Sequence, residues 1–182
     1  NRDVQDIHPG YHNFVNALAL MVFGDDLVSM RYPLVATGIV QSCLVFLLLL
    51  PRGILAATAA SVSLTALSFV QFLNPAANWY SLFLFIVIVC VLTWLPRDSR
   101  WRLQILGFLV VTLVLVRQLT GVIVAVGVFT YLVCEAPRGA SGGARLLARA
   151  LVAVMAGGLS VYLFAMTEPF GAFMFGAWPL GV

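Results

Sequence analysis

The stretch "VTLVLVRQLTGVIVAVGV", residues 111–128, decides how this chain folds. Arg117 and Gln118 interrupt an apolar run that extends from Leu103 to Cys134. A guanidinium at the centre of a bilayer costs about 2.5–3.5 kcal/mol on insertion scales. Either Arg117 therefore works inside the membrane, or the run bends so that this residue leaves the membrane centre.

The composition indicates an integral membrane protein. The 182 residues are 62% hydrophobic and 9% charged, with a mean hydropathy of +1.04. Soluble domains average about 45–50% apolar and about 25% charged residues. All the cations are arginines, and the net charge of +3 forms no basic stripe with interleaved aromatics, which argues against a nucleic-acid partner.

The cysteines indicate neither a disulfide framework nor a metal site. Cys43, Cys90 and Cys134 lie far apart in apolar segments, without the spacing of metal ligands. We expect all of them to be small buried hydrophobes. Both ends of the sequence look cut, so we expect a bundle truncated at both ends, a fragment of a longer polytopic protein.

The apolar runs predict an all-α bundle of transmembrane helices. A spanning helix needs about 20 apolar residues, and prolines or charged loops close each run. The predicted segments are 34–50, 54–73, 79–95, a pair at 103–116 and 121–134, 146–166, and the start of another at 170–182.

The arginines predict the orientation of these helices. The loops "PRDSRWR" and "EAPRGASGGARLLAR" both belong on the cytoplasmic side by the positive-inside rule. Two short helices must then lie between them, so residues 103–134 form a hairpin with "RQLTG" as its turn. Thr120-Gly121 would give that turn its flexibility. Residues 1–33 and the "NPAAN" turn fall on the outer, periplasmic side of a multi-pass protein, with the bacterial inner membrane as the expected location.

Residues 1–33 predict an outer loop with an interfacial amphipathic helix. From Tyr11 to Phe23, polar residues alternate with apolar ones at near-helical spacing. Asp25 or Asp26 is placed to cap the next helix. The apolar positions of the amphipathic helix are Phe14, Leu18, Met21 and Val22.

Polar and ionisable residues gather on this outer face. Asp3, Asp6 and His8 precede the amphipathic helix, and the hairpin brings Arg117 to the same side. The alternative is that water-facing loops are simply polar, which suffices for Asp25 and Asp26. For Arg117 we favour a function, because an idle arginine in a membrane is expensive.

Several segments resemble the polytopic C-type (GT-C) glycosyltransferases, especially the dolichyl-phosphate-mannose:protein mannosyltransferase-like group. "RDVQDIHPG" followed by an amphipathic helix ending in "FG" and then "SMRYPL" resembles the first outer loop of that family. "NPAANWYSLFLF" resembles its outer turn and tyrosine-led helix. "GFLVVTLVLVRQLTGVIVAVGVFTYLV" resembles its hairpin with a basic tip.

The resemblance implies a membrane glycosyltransferase that transfers a sugar from a polyprenyl-phosphate donor to a glycan, lipid or protein acceptor. It implies inversion at the anomeric carbon on the outer face; its requirement for a divalent metal stays open. The "HPG" turn has one proline where many members have two. The family's principal acidic residue would lie upstream of Asn1, after a first transmembrane helix that this sequence lacks, which leaves Asp3 and Asp6 either as the base or beside it. Carried over by position, the implied roles are catalysis for Asp6 and Asp3; donor-phosphate binding for Arg117, Gln118, His8 and Arg31; and acceptor or sugar contact for Asn78 and Tyr80.

Two other classes of protein remain open from the residues alone. A transporter or flippase of lipid-linked substrates would carry repeated halves with broken or charged helices near the midplane, and no internal repeat is visible. A non-catalytic membrane scaffold would carry faces of small residues, as "GILAATAASVSLTALS" does. Any packed helix bundle has such faces, however.

Overall fold

The computed structural model of the chain describes residues 11–26, 28–69, 76–97 and 99–135. Every regular element in these ranges is helical, as the apolar runs predict. The predicted segments 146–166 and 170–182 lie outside the described residues. The helices are α1 Tyr11–Phe23, α2 Arg31–Leu49, α3 Ile54–Phe69, α4 Ala77–Trp94, α5 Arg100–Val116 and α6 Gln118–Glu135, with a 3₁₀ turn at Leu50–Arg52.

The chain divides into two compact units, each described here by itself. Residues His12–Pro96 form one unit, which contains α2, α3, α4 and nearly all of α1. The other unit includes the chain from Arg97 onward, and its described part is the pair α5 and α6, called here the α5–α6 hairpin.

Helices α2 and α3 form an antiparallel pair because the chain reverses at Pro51-Arg52-Gly53. Proline cannot donate a hydrogen bond to continue α2, and Gly53 has a φ of +116°, a conformation that glycine adopts without strain. Hydroxyl groups then join the two helices. The Ser42 and Thr65 hydroxyl oxygens lie 2.8 Å apart, and Ser61 donates to the Ser42 carbonyl oxygen at 2.9 Å.

Helix α4 packs against α2 and ends as the sequence predicts. Leu95 leaves the helix with φ −80° and ψ 133°, since the residue before a proline, here Pro96, is driven out of helical conformation. Arg31 is the first residue of α2 and Arg52 lies in the turn after it, so the two arginines are at opposite ends of that helix.

The α5–α6 hairpin confirms the predicted reversal but corrects its details. The predicted helices 103–116 and 121–134 are longer in the structure, at 17 and 18 residues. Only Arg117 leaves helical conformation, with φ −152° and ψ 101°, whereas Thr120 and Gly121 belong to α6. Near the other end Arg102, early in α5, bonds to Glu135, the last residue of α6, at 2.7 Å, so the helices are antiparallel. At 1.5 Å per residue each helix is about 26 Å long, close to a hydrocarbon core of about 30 Å.

Many large apolar side chains are exposed on the surface of this chain. Met21, Leu55 and Leu119 are 84%, 82% and 73% exposed, and soluble monomers rarely expose apolar surface on this scale. In the part of the chain that the structure describes, three helical segments are long and apolar enough to cross a membrane: Arg31–Arg52, Ala77–Trp94 and Gln118–Glu135. The chain is therefore membrane-associated. Buried polar side chains are His12, Asn16, Ser29, Gln41, Ser68, Ser81, Arg102 and Thr112.

Two local predictions are wrong. Neither Asp25 nor Asp26 caps α2, because the N-cap residue is Met30 and no side chain caps it. The Asp26 carboxylate accepts instead from the Val28 N–H at 3.2 Å, since an aspartate readily bonds the backbone two residues on. Among the cysteines only Cys90 is buried, whereas Cys43 and Cys134 are exposed on the apolar outer surface.

The buried position of Leu113 predicts a strong effect of truncation. Leu113 is fully buried at 0% exposure, whereas Leu119, also in the hairpin, is 73% exposed. We expect Leu113→Ala to lower the free energy of unfolding by about 2–5 kcal/mol, because it leaves a cavity. Leu119→Ala is the matched control and should change it by less than about 1 kcal/mol. Unfolding of the full chain in detergent micelles measures both, and equal losses would contradict this packing.

Candidate functional site

Arg117 lies at the tip of the α5–α6 hairpin, with an exposed side chain. Its backbone belongs to both helices. The Arg117 N–H donates to the Leu113 carbonyl oxygen at 2.8 Å, and the Arg117 carbonyl oxygen accepts from the Gly121 N–H at 2.8 Å. The last turn of α5 and the first turn of α6 therefore hold this one extended residue between them.

The charge at the tip comes from the Arg117 guanidinium. The C-terminus of α5 and the N-terminus of α6 meet there, and their dipole charges, about −0.5 and about +0.5, oppose each other. Among the described residues the ion pairs join Glu135 to Arg97 and Arg102, and no carboxylate pairs with Arg117. Among the described residues, the tip thus presents the positive charge of Arg117 without a paired carboxylate. This arrangement suits an anion.

The base of the hairpin carries a neutralised charge cluster. Arg102 is 2% exposed and donates to Glu135 through Nη1 at 2.7 Å and Nη2 at 3.4 Å. The Nε of Arg97, an exposed arginine, lies 2.7 Å from Glu135 Oε1, and the Tyr131 hydroxyl donates to the same oxygen at 3.4 Å. A buried arginine needs such a partner, because an unpaired buried charge costs several kcal/mol. The cluster therefore joins the start of α5 to the end of α6 at the base of the hairpin.

Two polar residues of α1, His12 and Asn16, face inward. The Tyr80 hydroxyl of α4 donates to Asn16 Oδ1 at 3.0 Å, and His12, one turn before Asn16, is also buried. Phe14, Leu18, Met21 and Val22, predicted as the apolar side of the amphipathic helix, are exposed. The structure thus gives α1 an apolar outer side, the orientation that an interfacial helix requires.

The residues implied by the resemblance are distributed unevenly. Arg117 and Gln118 are adjacent and exposed at the hairpin tip. Arg31 begins α2 in the other unit, and Asn78 is exposed near the start of α4, where its carbonyl oxygen accepts from the Ser81 hydroxyl at 2.8 Å. Tyr80 is buried at 6% exposure, with its hydroxyl on Asn16. Asp3, Asp6 and His8 lie outside the described residues.

The sequence analysis did not identify the side-chain pairs that join the helices, Arg102 with Glu135 and Asn16 with Tyr80. Glu135 looked like the first residue of a cytoplasmic loop, and Arg102 like one of three loop arginines. The predicted hairpin already brings residues 102 and 135 to one end, so the pair could have been proposed from it. Nothing in the spacing of Asn16 and Tyr80, 64 positions apart, indicates that they meet.

Comparisons with protein-family models, with curated proteins and with solved structures found no match to this chain. Among the described residues, no three His, Cys, Asp or Glu side chains cluster where they could hold a metal ion.

The base cluster predicts that loss of the Glu135 carboxylate destabilises the fold more than loss of the exposed Arg97. Removing the carboxylate by Glu135→Gln leaves Arg102 buried without its counter-charge, which we expect to cost about 3–5 kcal/mol of the free energy of unfolding. Arg97→Ala removes an exposed partner and should cost less than about 1 kcal/mol. Thermal unfolding of the full chain in detergent compares them. A loss from Arg97→Ala as large as that from Glu135→Gln would contradict the role given to Arg102.

The Tyr80–Asn16 contact predicts coupling between α4 and α1. We expect Tyr80→Phe to cost about 0.5–1.5 kcal/mol, because the Asn16 oxygen loses its donor. The effects of Tyr80→Phe and Asn16→Ala should be non-additive in a double-mutant cycle, measured by unfolding in detergent. Tyr131→Phe is the control, since that hydroxyl makes an exposed contact at 3.4 Å, and Tyr131→Phe and Asn16→Ala should be additive. Additivity of Tyr80→Phe with Asn16→Ala would show that the hydrogen bond does not hold α1.

Proposed function

We propose that this chain is part of a membrane glycosyltransferase that moves a sugar from a polyprenyl-phosphate donor to an acceptor on the outer, periplasmic side of a multi-pass bundle. In this proposal Arg117 binds the donor phosphate. The observation that carries the proposal is the exposed guanidinium at the tip of an apolar hairpin, without a carboxylate partner among the described residues.

The chemistry needs positive charge where the leaving phosphate forms. The acceptor hydroxyl oxygen attacks the anomeric carbon from the face opposite the phosphate, and the bond from that carbon to the phosphate oxygen breaks. The phosphate leaves with the electron pair, so its charge grows in the transition state and a fixed cation lowers the barrier. Arginine suits this task because its planar fork can donate two parallel hydrogen bonds to phosphate.

A carboxylate is needed at the attacking hydroxyl. It orients the acceptor and takes up its proton as the new glycosidic bond forms. In the proposal Asp6 has this role, with Asp3 beside it or with both supporting an acidic residue upstream of Asn1. The resemblance also implies phosphate contacts for His8, Arg31 and Gln118, and acceptor or sugar contacts for Asn78 and Tyr80. The Tyr80 hydroxyl is bonded to Asn16.

The shape of the hairpin supports a lipid-linked donor. Its helices are long enough to carry the Arg117 backbone most of the way across a hydrocarbon core. From there the long arginine side chain can extend to the headgroup level, where a lipid phosphate lies. The exposed surface of α6 is apolar, with Leu119, Val122 and Ile123 just beyond the tip. A polyprenyl chain could therefore lie along α6 while its phosphate meets Arg117.

Donor binding tests the proposal. The full chain in lipid nanodiscs is titrated with radiolabelled polyprenyl-phosphate mannose, followed by other polyprenyl-phosphate hexoses and pentoses. We expect Arg117→Ala to weaken binding of the accepted donor by about 10–100-fold, the value of one or two charge-assisted hydrogen bonds. Arg117→Lys should fall between, because it keeps the charge and loses the fork.

Arg52 provides the matched control, since it is an exposed arginine at the turn between α2 and α3. Arg52→Ala should leave donor affinity unchanged, and Asp6→Asn should reduce transfer more than donor binding. Unchanged affinity in Arg117→Ala would overturn the assignment of the phosphate site. Movement of labelled lipid across vesicles without sugar transfer would favour a flippase, and no binding of any donor would favour a scaffold.

A further inference from the structure

The two hairpin helices approach each other closely one turn from Arg117, at Gly121. Gly121 is buried within α6. A methyl group on its α-carbon would lie 2.5 Å from the Val114 backbone nitrogen and 2.7 Å from Val114 Cγ2, and closer still to the Val114 Cα. Real β-carbons do not approach backbone atoms this closely, so any other residue at this position would force α5 and α6 apart.

The same glycine is hydrogen-bonded to the arginine at the tip. The Gly121 N–H donates to the Arg117 carbonyl oxygen at 2.8 Å, while the Arg117 N–H is bonded to Leu113, next to Val114. The Gly121–Val114 contact and both hydrogen bonds of the Arg117 backbone therefore lie in the same short segment, residues 113–121. Widening the contact must rotate the one extended residue that joins the helices.

We infer that Gly121 is a positioning residue, which fixes the direction of the Arg117 guanidinium by letting α5 and α6 touch backbone to backbone. This inference rests on the proposed function, because it concerns the same phosphate contact. The Arg117 side chain is exposed, so the backbone of the tip sets the direction in which this side chain leaves the hairpin.

Gly121→Ala tests the inference, with Gly127→Ala as the matched control. Both positions lie in α6, but a methyl group at Gly127 would meet no atom within 4 Å. Both variants gain the same helix propensity, about 1 kcal/mol, so that effect cancels in the comparison. We expect Gly121→Ala to weaken donor binding about tenfold and Gly127→Ala to leave it unchanged, measured on the folded fraction of the full chain in nanodiscs.

A double-mutant cycle separates positioning from general damage. If Gly121 acts through Arg117, Gly121→Ala has no further effect on donor affinity once Arg117→Ala is present. Equal weakening in both backgrounds would overturn the inference. Val114→Ala should not restore donor affinity to Gly121→Ala, because the nearest obstructing atoms belong to the Val114 backbone. Restored affinity would also overturn the inference.

A second variant keeps the inference testable if Gly121→Ala does not fold. The exchange Arg117→Gln with Gln118→Arg preserves composition, charge and the contact between Gly121 and Val114, but moves the guanidinium by one residue. We expect it to bind donor as weakly as Arg117→Gln alone, since position is what the hairpin fixes. Wild-type affinity after the exchange would overturn the inference. Unchanged affinity in Arg117→Ala would instead overturn the proposed function itself.

Discussion

The pairing of Arg102 with Glu135 is the interaction on which the hairpin depends. A guanidinium that is 2% exposed cannot stay charged in an apolar bundle without a counter-charge, and it cannot lose its proton. The partner stands 33 residues further along the chain. Only a chain that reverses between them can satisfy both groups, so this one requirement fixes the antiparallel arrangement of α5 and α6 and places Arg117 at the opposite end.

Arg102 and Arg117 show how burial gives two arginines of the hairpin different roles. Arg102 at the base has its charge neutralised by Glu135 and serves the fold. Arg117 at the tip is exposed, and the opposed dipoles of two helix ends leave its charge uncompensated. Arg102 is thus paired at the base of the hairpin, whereas Arg117 is available at its tip. An available cation at the end of an apolar element suits an anionic group attached to a lipid.

The sequence was sufficient for the hairpin but not for its geometry. Counting arginines on the flanking loops required a reversal between residues 103 and 134, and the base pair confirms it. The turn was predicted too long, because Thr120 and Gly121 were interpreted as flexible when they are helical, and Gly121 serves close packing instead. Short-range patterns also found α1 and the break at Pro51. The contact between Tyr80 and Asn16 could not be predicted, because it depends on how helices far apart in sequence pack. The Asp26 carboxylate does not cap α2, because the Val28 N–H is a nearer donor.

Buried polar groups also hold helices together in the other unit, where His12 and Asn16 of α1 face inward. In a bilayer the hydrophobic effect does not drive helices together, so buried polar groups and close backbone contacts must do so. The Tyr80–Asn16 bond and the hydroxyl contacts of Ser42, Ser61 and Thr65 join helices in the α1–α4 unit, as the ion cluster and Gly121 do in the hairpin. In both units many large apolar side chains are exposed, while others such as Ile88 and Leu113 are buried between helices. A few polar and small residues therefore determine how the helices are arranged. A substitution at one of these residues changes the packing geometry of the helices. An exchange among the exposed leucines and valines changes only the surface that contacts lipid.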